Sequence, residues 1–508
     1  VTRGHAGRLA LLLAALLLGP GTALSAKKPQ QLSTAPQPVG LRKSRTGGYE
    51  HFAAVFPGPV VAYALPRAAG GGKGRRLIAL LVAPEPPALS GDRHGPPPPD
   101  LPLAGARSLV LLDLEGHEGA GALRLALQGL PAESESLAAM DLDGDGVDEL
   151  VMGVAGSPGR LLSLGPVTRP RAPRLLMEGA EIEPGLLLRS ILSEAGAPLA
   201  APTLGKLRLL RPDGHGGLAT ERELPLPVHA SRTRYGLKLT SPRARPVGGS
   251  LWAAGPEAVG RERLRTLLLD PDAPPESPPV EAWSRLPGPE TVDASWYARL
   301  DGRPCLMVAT YQADHLGIFE KAKLRVFALG ADRTRGGRPP LLSLQTASRR
   351  WSALQPIVAD LDRDGHDDLL VLQQEGLSGG TLLAEAFFGR GGGRFETPSR
   401  KTRWELEAWS WRYDADLTGD GRPDLLLLAG NDRRLLILAA APDPRSGAFV
   451  RSARALLPFA PEGIPEGAEP WIRGPLDAAD LDGDGRPELL AIDPDRLGRG
   501  RALVVRLP

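Results

Sequence analysis

Cysteine is nearly missing from this 508-residue chain: Cys305 stands alone, so neither an intrachain disulfide nor a multi-cysteine zinc or iron–sulfur site can form. Charge of one sign is not in excess either. With 61 basic and 59 acidic side chains the formal net charge is +2, which excludes a domain-wide cationic field for gripping nucleic acid or an anionic membrane. Aromatic residues make up only 5%. After the first 26 residues no apolar run reaches the roughly 18 needed to cross a bilayer. There is no His-Glu-x-x-His pair and no Gly-x-x-x-x-Gly-Lys-Ser/Thr phosphate loop. What the chain has in quantity is Gly (62) and Pro (52), without the every-third-residue period of collagen, so turns are frequent and helices few.

Residues 1–26 combine a short basic start (Arg3, His5, Arg8), an apolar run from Leu9 to Leu18, a Gly19-Pro20-Gly21 break and Ala23-Leu-Ser-Ala26. This pattern predicts a secretory signal peptide, hence an exported chain, extracellular or periplasmic, with no membrane span once the signal is cleaved. Residues 27–48 read as a polar linker and 49–508 as one repeat domain, with Pro84–Pro102 as a long inserted loop.

One pattern recurs four times: Asp141-Leu-Asp-Gly-Asp-Gly-Val-Asp-Glu149 (loop A), Asp360-Leu-Asp-Arg-Asp-Gly-His-Asp-Asp368 (loop B), Asp416-Leu-Thr-Gly-Asp-Gly-Arg-Pro-Asp424 (loop C) and Asp480-Leu-Asp-Gly-Asp-Gly-Arg-Pro-Glu488 (loop D). A short apolar run follows each copy (Leu150–Met152, Leu369–Leu372, Leu425–Leu428, Leu489–Ile492), the length of a buried strand. The later copies start 56 and 64 residues apart, an interval that suits a four-stranded propeller blade with generous loops. Three weaker units fit between loops A and B, around Leu186–Leu210, Tyr235–Leu269 and Ala298–Val308, and one upstream at Val60–Leu127. The reading is all-β, a propeller of eight blades, with seven as the alternative. The last unit is one strand short, and His51–Phe56 would supply it by pairing the two ends of the chain.

Counting the first Asp as position one, oxygen side chains stand at one, three, five and nine, with Gly at six. That is the spacing of a calcium loop, in which alternate side chains turn inward and the carbonyl at position seven completes the shell. The candidate ligands are Asp141, Asp143, Asp145, Val147 and Glu149; Asp360, Asp362, Asp364, His366 and Asp368; Asp416, Thr418, Asp420, Arg422 and Asp424; and Asp480, Asp482, Asp484, Arg486 and Glu488. Val147, His366, Arg422 and Arg486 would act through the backbone carbonyl, and Thr418 replaces a stronger ligand. Hard oxygens in flexible carboxylates favour Ca2+ over Mg2+, which demands tight octahedral geometry. An EF-hand is disfavoured because position twelve holds Met152, Val371, Leu427 or Ala491 instead of Glu. The competing explanation, an Asp-Gly turn without metal, weakens with four aligned copies.

These four loops resemble the FG-GAP and VCBS repeats. The resemblance implies an integrin-alpha-like β-propeller with calcium held between the first and second strands of a blade, and a binding or adhesion role. Asp148–Gly159 is similar to the Gly-Ala-Pro half of the family signature, and Phe388-Gly389 is a weaker echo of the other half. The inner units near 187, 236 and 299 lack the acidic triplet and are expected to bind no calcium.

Trp409, Trp411 and Tyr413 alternate on one strand face, and aromatics recur at Trp296, Trp351 and Trp471, which reads as packing between blades, with a sugar-stacking platform as the alternative. Gly376-Leu-Ser-Gly-Gly380 matches a hydrolase nucleophile pattern but joins two predicted strands, the wrong setting for a strand-to-helix elbow. Cys305 reads as a buried, inert thiol, and the His366 imidazole as pointing to solvent. No catalytic constellation emerges. The sequence thus points to an exported calcium-binding scaffold whose partner is an extracellular or envelope protein or a glycan, with no nucleic acid. A propeller-fold enzyme, such as a polysaccharide lyase or a cofactor-dependent dehydrogenase, is the alternative, and a structural envelope component a third; oligomeric state is not set by the sequence.

Overall fold

The computed structural model describes residues 41–46, 49–56, 58–68, 77–84, 105–114, 122–155, 159–180, 199–203, 206–225, 252–259, 263–269, 280–285, 291–311, 323–328, 340–345, 355–375, 380–406, 408–429, 434–441, 449, 454–458, 476–484, 486–493 and 501–506. All lie in the compact unit Pro36–Pro508. The proposed signal peptide, most of the linker, the Ser378 segment, Trp351 and Trp471 fall outside them.

Among the described residues every regular element is a β-strand, and the strands form eight antiparallel sheets. Four-stranded sheets cover residues 60–130, 134–180, 291–345, 355–404 and 408–458, and three-stranded ones cover 199–225 and 252–285. The remaining sheet has five strands and draws on both ends of the chain: Tyr49–Val55 pairs with Arg501–Arg506 over Glu50↔Arg506 to Val55↔Arg501. Pairing of the two chain ends is thus present where the sequence pointed to it.

The apolar runs after the acidic loops are uninterrupted because their strands are buried on both faces, and the two-residue period sends alternate side chains into different cores. Along Asp368–Glu375, Leu370 and Leu372 pack with Leu425, Leu427 and Leu438 of the following sheet. Leu369 and Val371 pack with Met307, Leu324 and Val326 of the preceding one. Leu150 and Met152 likewise face Leu81 and Leu109, while the intervening Val151 faces Leu199 and Leu210. The sheet of the two chain ends joins the same succession, Val504 and Phe52 packing with Ile78 and Leu80. Each fully buried Leu or Val contributes about 1.5–3 kcal/mol. One changed to Asp would open a seam between two sheets, not merely one strand.

Of the aromatics singled out in the sequence, only the Tyr413 side chain is described. Tyr413 meets Phe449 edge-on at 5.7 Å between ring centres, and Trp404 meets the same ring at 6.3 Å, so these aromatics are core. The side chains of Trp296, Trp409 and Trp411 lie outside the description. Cys305 is buried at 1% exposure, and burial pushes its thiol up to about 12, which leaves almost no thiolate at neutral pH.

Candidate metal-binding loops

All four acidic segments are hairpin connections with the same frame. Position nine is in each case the first residue of the outgoing strand, paired with the last residue of the incoming one: Met140↔Glu149, Ala359↔Asp368, Ala415↔Asp424 and Ala479↔Glu488. The position-nine carboxylate is buried in every copy and accepts the backbone N–H of position two at 2.7 Å, from Leu142, Leu361, Leu417 and Leu481. It closes the neck of the loop as a clamp. Asp368 also accepts the N–H of Gly389 at 2.7 Å, with its other oxygen.

Position one holds the tip. In loop A the Asp141 oxygens accept the N–H of Gly144 at 2.7 Å and of Gly146 at 3.0 Å, and in loop C Asp416 receives Gly419 and Gly421, both at 2.6 Å. The tip needs a left-handed residue at position four, which Gly144, Gly419 and Gly483 adopt without strain. Loop B has Arg363 there, at φ 62°, and its Nη2 donates to the carbonyl of Gly421 at 2.5 Å, tying loop B to loop C.

Three of the four loops gather a carboxylate trio. Asp141, Asp143 and Glu149, then Asp360, Asp362 and Asp368, then Asp480, Asp482 and Glu488 each bring one oxygen apiece within 4.8 Å of one another. These are positions one, three and nine, and they fit a hard cation. In loop B the Asp360 Oδ1 atom is buried with no hydrogen-bond partner, while Oδ2 accepts Gly365 N–H at 3.1 Å.

Position five carries a backbone turn, as position three of loops A, B and D also does. Asp145, Asp364, Asp420 and Asp484 are exposed and stand outside the trios, each accepting the N–H of position seven (Val147, His366, Arg422, Arg486) at 2.7–2.8 Å. These are Asx turns, the geometry short acidic side chains favour. The sequence spacing does not distinguish them from ligands.

Loop C forms no trio among the described residues. Thr418 at position three turns back on position nine, its N–H and hydroxyl donating to Asp424 at 2.8 and 3.3 Å, and Ala440 N–H adds a further bond at 3.2 Å. Asp424 is thus met by protein donors where the other loops present a second carboxylate.

Burial, opposed by the backbone N–H bonds, raises the position-nine carboxyls. Asp368 and Glu488 are each pushed up to about 7, and Glu149 and Asp424 also lie above the usual carboxylate range. Neighbouring carboxylates of the same loop add to the rise in loops A, B and D. Without a cation these loops hold negative charge at a cost.

Position eight carries a contact that linear spacing does not reveal. Asp148 takes the Arg67 guanidinium at 2.7 and 3.1 Å and its backbone N–H at 2.8 Å, joining the loop A hairpin to the preceding sheet. The bonded pair raises the Arg67 pKa. In loop B, Asp367 accepts Asp301 N–H at 2.6 Å, and its own N–H reaches Asp301 Oδ1 at 3.0 Å. The His366 side chain is exposed, as the sequence suggested, with Nδ1 3.6 Å from Asp301 Oδ1. Loops C and D have Pro423 and Pro487 here, which donate nothing.

Residues 416–491, spanning loops C and D, match the family of the FG-GAP-like repeat. This part of the chain resembles an FG-GAP-like repeat. The matched segment covers one repeat interval, and loops A and B carry the same frame outside it. None of the curated proteins compared matches the chain. Similar solved structures include AofleA from Arthrobotrys oligospora (12% identity, 72% of this chain and 92% of that one, TM-score 0.22). A protein of unknown function from Dyadobacter fermentans follows at 12% identity, with 93% and 99% covered and TM-score 0.31. A levansucrase variant from B. megaterium has 9% identity, with 85% and 94% covered and TM-score 0.26. At these scores they carry no weight for fold or function, so the FG-GAP-like reading stands on the repeat match and on the sheets. No helix among the described residues is long and apolar enough to cross a membrane.

Proposed function

We propose that this chain is an exported β-propeller of FG-GAP-like repeats that serves as an interaction scaffold, with Ca2+ held in loops A, B and D as a structural ion. The observation that carries this reading is the carboxylate trio at positions one, three and nine, repeated in three hairpins of the same frame. A bound Ca2+ supplies positive charge that relieves the crowding of these carboxylates. Asp141, Asp143 and Glu149, with their counterparts in loops B and D, would hold it, and loop C is closed by its own donors. Sequential antiparallel sheets packed face to face, and a sheet built from both chain ends, support the propeller. The signal-like residues 1–26 support export, where Ca2+ is plentiful.

The partner is an extracellular or envelope protein or a glycan. Glycan arrays and envelope-protein fractions probed with the full chain test this, each in Ca2+ and in chelator. The expected result is a ligand retained in Ca2+, released on chelation and recovered unaltered. Turnover of a polysaccharide by the purified chain would overturn it.

A further inference from the structure

Loop D differs from loops A and B in one respect that lies 18 residues beyond its last carboxylate, in the terminal strand Arg501–Arg506. The Arg506 guanidinium sits among three carboxylates: Nη2 is 3.0 Å from Asp482 Oδ2, Nε 3.6 Å from Glu488 Oε1, and Nη1 3.2 Å from Glu50 Oε2. Its charged carbon lies 5.9 Å from the centre of the Phe52 ring. Two of those carboxylates, Asp482 and Glu488, belong to the loop D trio.

The oxygens involved are the ones the loop leaves over. Asp482 uses Oδ1 to accept Asp484 N–H at 3.0 Å and turns Oδ2 to Arg506. Glu488 uses Oε2 to accept Leu481 N–H at 2.7 Å and turns Oε1 to Arg506. The arginine docked at loop A, Arg67, takes Asp148 instead, one residue outside the trio. A divalent ion and a guanidinium drawing on the same two carboxylates repel each other, and at such separations in a partly buried site the repulsion is large.

We propose that Arg506 sets the ion affinity of loop D: it shares Asp482 and Glu488 with the ion, keeps this site the weakest of the three, and links its filling to the seam between the chain ends through Glu50. When the site fills, the guanidinium shifts its weight toward Glu50, which lies in Tyr49–Val55, the strand that pairs with its own. This inference rests on the reading that loop D takes Ca2+.

Calcium titration of the metal-stripped full chain by calorimetry tests it, with Asp480→Asn identifying which binding step belongs to loop D. Arg506→Gln should tighten that step by at least about tenfold. Glu50→Gln should loosen it by a few fold, because the guanidinium then leans on the two shared carboxylates alone. Opposite signs separate competition from damage to the seam, which would weaken the site in both variants. Unchanged affinity in either variant, or weakening in both, overturns the inference while leaving calcium in loop D intact. Loss of no step in Asp480→Asn overturns the inference together with the reading beneath it. Should Arg506→Gln not fold, Glu50→Gln decides alone: a looser loop D step upholds the competition, and an unchanged or tighter one refutes it.

Discussion

Chelating Ca2+ should lower the thermal midpoint of this protein by roughly 8 °C. The estimate follows from linkage: an ion present at a hundred times its dissociation constant stabilises by about 2.7 kcal/mol per site, so three sites give about 8 kcal/mol. For a fold of this length 1 kcal/mol moves the midpoint by about 1 °C. Scanning calorimetry in Ca2+, Mg2+ and chelator measures it, with Mg2+ restoring little of the loss because the trios are made of flexible carboxylates. Substitutions should divide by position. Asp362→Asn in loop B removes a trio member and should forfeit about a third of the Ca2+ increment. Asp364→Asn, in the exposed Asx turn beside it, should forfeit little, and so should Asp420→Asn in loop C.

Acidification should act in opposite directions with and without the ion. Buried Asp368 and Glu488 are each pushed up to about 7 in the metal-free fold, above the roughly 4 of an unfolded carboxyl. A raised folded pKa contributes stability that is fully present below the unfolded value and is lost as pH climbs through the folded one. In chelator, the share of stability set by these two carboxyls should therefore rise by several degrees in midpoint as pH falls from 7.5 to 5. In saturating Ca2+ it should fall over the same interval, because protons and the ion compete for the same oxygens. Parallel pH series of thermal scans read the two signs. A common direction in both would remove the trios from the titration.

Much of this was legible in the residues because it is local. The Asp-x-Asp spacing lies within nine residues and the apolar runs follow directly, so four hairpins, their outgoing strands and the position-nine carboxylate could be placed from the sequence. The units at 199–225 and 252–285 carried only a rhythm, and each forms a three-stranded sheet among the described residues. Spacing placed positions three and five alike as ligands, and only the fold shows that position three joins the trio while position five stands outside it. Thr418 could be read as a weaker ligand, but not as a donor that closes loop C on Asp424. The contacts of Asp148 with Arg67 and of Arg506 with Glu50 join residues 81 and 456 apart, and only the sheet succession brings them together. Nothing in the flanking residues of a lone arginine marks it as a neighbour of a metal loop.

The number of Ca2+ ions bound per chain tests the central claim most directly. Elemental analysis of the full-length protein, stripped of metal and then equilibrated in saturating Ca2+, should return three, and Asp143→Asn, Asp362→Asn and Asp480→Asn together should abolish them. A count of none would reduce the acidic loops to metal-free turns, and a count of four would contradict the closure of loop C by Thr418 and Ala440.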